Sequence, residues 1–207
     1  MNRFTKYFCL TGIALVAMSV FIVIKIFYPI IKEEIKYQVF KNAESFSFEK
    51  SNKNEEKIII PTDQDFGIII PKINANVGII PEIDSQDSAV YQSALTKGVA
   101  HAKGTAYPGE NNNIFIFAHS GADILEANKY NAVFYLLLKL ENGDDIFIFY
   151  NRQKYHYIVN ERKTVNANEI QYIGETPEEQ LTLMTCWPPG TTMKRLIIFA
   201  EPVSDNN

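Results

Sequence analysis

Short apolar segments bounded by turn-forming residues recur along the chain from residue 66 to residue 200. Their apolar side chains either alternate with polar ones or form runs of about six residues, a length that predicts strands rather than helices. Asn142-Gly143 and Asn151-Arg152 mark turns on either side of one segment and predict antiparallel neighbours. The predicted strands are residues 66–70, 75–80, 113–118, 145–150, 153–160, 181–185 and 195–200.

The sequence predicts only one or two short helices among these strands. Asp84 or Ser85 is suited to cap one helix and Gly98 to end it. A second short helix is predicted over residues 131–138. Seven or eight short strands with one or two short helices predict a mainly β domain, a sandwich or a closed barrel, and we expect the barrel because closure leaves no exposed strand edge. The apolar face of the first helix is formed by Ala89, Val90, Ala94 and Leu95.

Residues 8–31 are apolar almost throughout, with Lys25 as their one charged residue. A helix that crosses a bilayer needs about 20 residues, and Lys25 can extend toward the headgroups. Arg3 and Lys6 precede the run and predict that residues 1–7 are cytoplasmic. The expected location is therefore the plasma membrane, as a single-pass protein with its folded domain on the extracellular face. A cleaved signal peptide begins in the same way, but this run is long and no small-residue cleavage site follows it.

Residues 32–57 are rich in Lys, Glu, Ser and Asn and predict a helical extension followed by a solvated linker or stalk. The folded barrel is expected over residues 58–202, with residues 203–207 as a frayed tail. A net charge of −4 removes the electrostatic reason to expect nucleic acid as a partner. No metal or other cofactor is predicted, because a solvated acidic loop explains the scattered calcium candidates equally well. These candidates are Glu110, Asp123 and Glu126.

Of the two cysteines, Cys9 falls in the apolar run, so Cys186 is the one cysteine of the folded domain. Outside the cell such a cysteine is a buried small hydrophobe, an intermolecular disulfide partner or a reactive thiolate. Cys186 directly follows the predicted strand 181–185 and opens a loop. Loops at strand ends often carry chemistry, so this position favours the thiolate without excluding the other two interpretations.

A reactive thiolate needs a base or cation nearby and a proton donor for the leaving group. His119 ends a predicted strand as Cys186 does, whereas His101 is expected in a loop and His156 in the middle of a strand. Spacing therefore favours His119 over His101 and gives His156 a structural role. Arg195, nine positions after Cys186, is the candidate for stabilising an oxyanion. A surface ion pair explains an arginine at a strand edge equally well.

Three separated segments of this domain resemble the sortase family. LTLMTCWPPGTTMKRLIIFAE resembles its signature, in which an apolar strand ends in Thr-Cys and a loop leads to an arginine on the next strand. FGIIIPKI, then YQSALTKGVAHAKGTAYPGENNN and IFIFAHS, precede it in the family's order, so the resemblance covers residues 66–201. It implies a closed eight-stranded β-barrel and the usual topology of an N-terminal anchor with an external domain.

Carried over residue by residue, the resemblance implies that Cys186 is the nucleophile, His119 the catalytic histidine and Arg195 the oxyanion-stabilising arginine. His101 matches a frequent position that is not catalytic. We further predict that three residues of these motifs contact the substrate: His101, Thr185 and Trp187.

The activity implied is that of a cysteine transpeptidase that attaches secreted proteins to the cell envelope. Such enzymes cleave an LPXTG-like C-terminal sorting signal between Thr and Gly and transfer the protein to an amine of a peptidoglycan precursor or a pilin. The compact TCWPPGTT pattern is most similar to class D or E sortases. No Asp-Pro-aromatic lid motif occurs between residues 32 and 66, which disfavours a lidded pilin polymerase. Two alternatives stay open, a membrane-anchored cysteine hydrolase and a catalytically silent envelope-binding β-domain.

Overall fold

The structure is a computed structural model that describes residues 3–48, 60–119, 133–189 and 191–203. Its strands form one closed barrel, which confirms the predicted mainly β, eight-stranded barrel. The strands are β1 (Phe66–Ile70), β2 (Ala75–Ile83), β3 (Val99–Ala102), β4 (Asn113–Phe117), β5 (Asp145–Tyr150), β6 (Gln153–Asn166), β7 (Gln180–Trp187) and β8 (Lys194–Pro202). Their order around the barrel is β1-β2-β3-β4-β7-β8-β6-β5, and antiparallel pairing of β5 with β1 closes it.

Two of the predicted strands have the predicted bounds, and most of the others extend further. β6 runs to Asn166, because its second half pairs with β8. β3 was not predicted at all, and the expected loop position of His101 is wrong because this residue lies in β3. The four residues of β3 are held as a strand by parallel pairing with β2 and antiparallel pairing with β4.

The helix α2 (Ser88–Leu95) begins later than predicted. Its N-cap is Asp87, whose carboxylate accepts hydrogen bonds from the backbone N–H groups of Ala89 and Val90 at 3.0 and 3.2 Å. The predicted caps Asp84 and Ser85 are therefore wrong, and the Asp84 carboxylate instead accepts from the backbone N–H of Gln86.

One face of α2 packs against the barrel through Ala94 and Leu95, as predicted, whereas Val90 is 43% exposed. The second predicted helix appears as a 3-10 helix over Val133–Lys139, and residues 131 and 132 lie outside the described residues.

A long helix, α1 (Arg3–Phe48), precedes the barrel. A search of the described residues finds no helix long and apolar enough to cross a membrane. In its C-terminal half, α1 contacts the 3-10 helix of the folded domain, where Glu34 pairs with Lys139, Oε1 to Nζ at 3.1 Å. Tyr37 is buried next to this pair, with the Lys139 ammonium 5.4 Å from the centre of its ring. The predicted bounds of the anchor and linker stay predictions, and residues 49–59 and 204–207 lie outside the described residues.

The wall formed by β4, β7, β8 and β6 has two buried faces. Leu181 and Leu183 of β7 belong to the main core. On the opposite face Val165, Ile197 and Phe199 form a separate buried cluster, and Met184 packs against it. Because alternate residues of a strand share a face, the face of Met184 also carries residue 186. We call this the outer face.

Candidate active site

Cys186 and Arg195 lie directly opposite each other in the antiparallel ladder of β7 and β8. Residues in this relation project from the same face, with Cβ atoms about 5 Å apart. Both belong to the outer face, and both side chains are half-buried. The structure extends β7 to Trp187, so Cys186 lies within the strand and not beyond its end as predicted. Backbone pairing, rather than loop folding, therefore brings the thiol and the guanidinium together.

The guanidinium of Arg195 is held by backbone carbonyl groups of residues that precede it in the chain. Nη1 donates to the carbonyl oxygens of Thr192 at 3.2 Å and Lys194 at 3.0 Å. In the described ranges no carboxylate forms an ion pair with Arg195, so the surface ion pair considered as its alternative role is not found there. The positive charge of Arg195 acts on Cys186, since it lowers the pKa of the thiol.

Two opposing effects set the pKa of the Cys186 thiol. Burial raises this pKa and is the larger effect, whereas the positive charge of Arg195 lowers it. The net shift is upward. Because the thiolate is the nucleophilic form, the site needs a partner that can take up the thiol proton.

His119 lies two residues beyond the end of β4. The segment between them continues to form hydrogen bonds with β7. β4 pairs in parallel with β7 as far as Phe117 opposite Met184. The N–H of Ala118 then donates to the carbonyl of Met184 at 3.1 Å. Extending this register by two residues brings His119 alongside Cys186 on the outer face. The end of β4 therefore leads His119 toward the strand that carries Cys186, and its role as proton partner of the thiol stays a prediction.

The His119 ring contacts α2. Its Nε2 lies 3.0 Å from Oε1 of Gln92, and its centroid lies 6.4 Å from that of Tyr91, edge to face. Sequence reasoning did not identify Gln92. It falls inside one of the segments that resemble the sortase family, but it precedes His119 by 27 positions, and nothing in its local sequence indicates a contact with a histidine.

Two of the three predicted substrate contacts, Thr185 and His101, are buried in this structure, and their contact with a substrate stays a prediction. Thr185 is 3% exposed, and its hydroxyl donates to the carbonyl of Ala118 at 2.9 Å. As a neighbour of Cys186 in the strand it faces the other side of the wall. Thr185 thus joins the end of β4 to β7, which supports the position of His119.

His101 is fully buried as well. It lies opposite Ile116 in the ladder of β3 and β4. Its Nε2 is 2.9 Å from the carbonyl oxygen of Ala106 and 3.0 Å from Oγ1 of Thr105. Burial lowers the pKa of this imidazole, which favours its neutral form. The third predicted contact, Trp187, is half-buried against the main core, and its role stays a prediction.

The calcium candidates of the sequence are scattered acidic residues. Within the described part of the chain, no three His, Cys, Asp or Glu side chains lie close enough to hold a metal ion. Two of the calcium candidates, Asp123 and Glu126, lie outside that part.

Comparison with known proteins relates this barrel and its site to one family. The family model of the sortase domain matches residues 68–203, a range that includes Cys186, His119 and Arg195. Sortase D of Bacillus subtilis strain 168 is 31% identical over 157 residues, which cover 73% of this chain and 71% of that protein.

Solved structures agree with this relationship. A lid mutant of sortase A from Corynebacterium diphtheriae has a TM-score of 0.57 at 26% identity, covering 68% of this chain and 70% of that one. A sortase D5 transpeptidase from Clostridium perfringens has a TM-score of 0.55 over 83% of this chain and 99% of that one. At 23% identity, the second likeness shows the fold alone. The chain belongs to the sortase family.

Proposed function

We propose that the protein is a cysteine transpeptidase in which Cys186 is the nucleophile, His119 the general acid and base, and Arg195 the oxyanion donor. The observation that carries this proposal is the cross-strand pair of Cys186 and Arg195, with the histidine at the end of the adjacent strand. All three groups share the outer face, so one carbonyl group can approach them together. Membership of the sortase family supports acyl transfer as the reaction.

In the first half-reaction the Cys186 thiolate attacks the carbonyl carbon of a threonine in the sorting signal. The guanidinium of Arg195 donates to the oxyanion that forms. When the intermediate collapses, the bond to the glycine nitrogen breaks and the His119 imidazolium gives its proton to that nitrogen. The substrate is then held on Cys186 as a thioester.

In the second half-reaction an amine attacks the thioester. Neutral His119 accepts a proton from the amine, the new amide bond forms and Cys186 leaves as a thiolate. His119 is protonated again, so the site returns to its starting state. From the family resemblance we propose an LPXTG-like signal and an amine of a peptidoglycan precursor or a pilin as acceptor. The identity with sortase D of Bacillus subtilis supports a class D assignment.

We further propose that residues 8–31 anchor the enzyme in the plasma membrane with the barrel outside. The side chains at positions 10–25 of α1 are all exposed, and apart from Lys25 they carry no charge. A helix that is apolar on every side is normally buried in protein or in lipid. An anchor would hold the enzyme, the secreted substrate and a lipid-linked acceptor at one surface, which raises their effective concentrations.

The transpeptidase is distinguished from a hydrolase by its products. The full-length chain in detergent is incubated with peptides that carry variants of the LPXTG pattern, at rising concentrations of primary amines such as triglycine. We expect the amide product, measured by mass spectrometry, to increase at the expense of the free acid, because amine and water compete for one thioester. If only the free acid accumulates at the highest amine concentration, the hydrolase alternative is correct.

The silent β-domain is tested by the reactivity of the thiol. In a Cys9→Ala background, the alkylation rate of Cys186 by iodoacetamide is measured against pH. We expect the midpoint to lie above that of the same residue in urea, because burial raises the thiol pKa. Arg195→Met should move it higher still, because the charge of Arg195 lowers this pKa.

Lys194→Met is the matched control for this measurement. It removes one positive charge from the residue next to Arg195, whose side chain projects from the opposite face of the strand. If the pH midpoint of alkylation is unchanged in Arg195→Met, the charge of Arg195 does not act on the thiol, and the proposed pairing of the two groups is contradicted. A thiol that reacts only after unfolding would favour the silent domain.

A further inference from the structure

Helix α2 contacts the imidazole of His119 through the side chain of Gln92. Gln92 is half-buried, and its Oε1 lies 3.0 Å from Nε2 of His119. We propose that Gln92 is a positioning residue that holds the imidazole in one orientation and one tautomer. This inference rests on the proposed catalytic role of His119 and adds a residue to that site.

The chemistry of the two groups determines the tautomer. An amide oxygen only accepts hydrogen bonds, so a bond to Oε1 requires a hydrogen on Nε2 of His119. The neutral ring then has Nδ1 as its basic nitrogen, and Nδ1 is the atom that gains and loses the catalytic proton. The Nε2–H bond to Gln92 persists in both protonation states, so the ring keeps its orientation through both half-reactions.

The Gln92 amide carries no charge, which makes it a suitable partner for His119, the residue that acts in turn as acid and base. A carboxylate at this position would stabilise the imidazolium and raise its pKa. The amide fixes the direction of the ring with less effect on its protonation. Gln92 thus supplies orientation, which is one of the two functions that a carboxylate partner of a catalytic histidine combines.

The helix that carries Gln92 is itself fixed. Asp87 caps its start, and Ala94 and Leu95 are 6% and 3% exposed at its end. Tyr91 packs edge to face against the rings of both Phe117 and His119, with centroids 6.4 Å apart in each case. Two consecutive residues of α2 therefore contact the histidine ring, one through a hydrogen bond and one through packing.

The test uses the full-length chain in detergent, labelled with nitrogen-15 at its three histidines. The resonances of His119 are assigned by their loss in His119→Ala. We expect the wild-type ring to carry its hydrogen on Nε2, and Gln92→Ala to show a mixture of both tautomers. Turnover of a cleaved peptide should fall about 10-fold in kcat in Gln92→Ala, with little change in KM, because general acid catalysis depends on the position of the proton donor.

Gln92→Glu provides a readout that a purely structural role would not change. It keeps an oxygen acceptor and adds a charge, so it should restore the single tautomer and move the imidazole-dependent limb of the pH profile upward by about one pH unit. Among the titratable groups of the described elements, Tyr91 of α2 contacts the His119 ring, and Cys186 of β7 and Arg195 of β8 lie on the outer face. All three are unchanged in the variant. Gln86→Ala, which removes the same side chain just before α2, is the matched control and should behave as wild type.

The outcomes separate this inference from the proposed function. If the wild-type chain transfers no peptide, the proposed function fails, whatever the tautomer. If the wild type is active but Gln92→Ala keeps both its kcat and a single tautomer, the positioning role is overturned and the proposed function stands. Should Gln92→Ala fail to fold, Gln92→Glu decides, because an unshifted pH profile contradicts the inference.

Discussion

Replacing Cys186 by alanine is expected to lower acyl transfer by a factor on the order of 10⁴ or more, because no other group on the outer face can form the thioester. The thiol is half-buried near the end of β7, so its loss should reduce the free energy of unfolding by only about 1 kcal/mol. Peptide turnover measures the first effect, and circular dichroism melting of the same preparation measures the second.

Cys9→Ala makes the same substitution at the other cysteine of the chain and should keep the wild-type rate. Mass spectrometry of the wild type, stopped during turnover, should find the acyl group on the peptide that contains Cys186. An acylated Cys186→Ala chain would place the nucleophile elsewhere and refute the proposed chemistry.

Replacing His119 by alanine is expected to lower kcat by about 10²–10⁴-fold, the usual contribution of a positioned general acid or base. The loss arises in both half-reactions, since the leaving amine receives no proton and the incoming amine loses none. The measurement is single-turnover kinetics, which separates formation of the thioester from its transfer to an amine.

His156→Ala is the matched control for the histidine. Nε2 of His156 pairs with Oδ1 of Asp145 at 2.7 Å on the β5–β6 hairpin, where both side chains are partly exposed. Loss of such a pair costs less than about 1 kcal/mol, so the fold and the rate should both be retained. Equal losses of activity in the two variants would point to a shared structural effect rather than to catalysis by His119.

The local pattern of apolar and turn residues predicted most strands of the barrel. It failed for strands whose conformation depends on pairing with residues distant in the sequence. Residues 66–70 and 145–150 are apolar between turn residues, and both strands have the predicted bounds. β2 was expected to end before Pro81, which lacks an N–H donor. It continues to Ile83 through a register shift in which Glu82 adopts a φ of 56°. β3 is too short for a pattern, and its conformation follows from strands on both sides.

The candidate site was predictable in its residue types but not in its geometry. Strand ends indicated Cys186 and His119, yet the register that brings Arg195 opposite Cys186 depends on the pairing of two strands along their whole length. The burial of Thr185 follows from its position, because neighbours in a strand face opposite sides and so cannot both line the outer face. Gln92 could not be found from its local sequence, since its partner lies on another element.

The ladder that joins Cys186 to Arg195 has a consequence for how such an enzyme can diversify. Hydrogen bonds between β7 and β8 fix the spacing of the backbone positions of the pair, and the connection contacts the Arg195 guanidinium through the Thr192 carbonyl. We therefore expect replacements in the connection that keep Thr192 in place to leave the separation of the two groups unchanged. The separation of the reacting groups is thus encoded mainly in the two strands, and the connection has more freedom to vary.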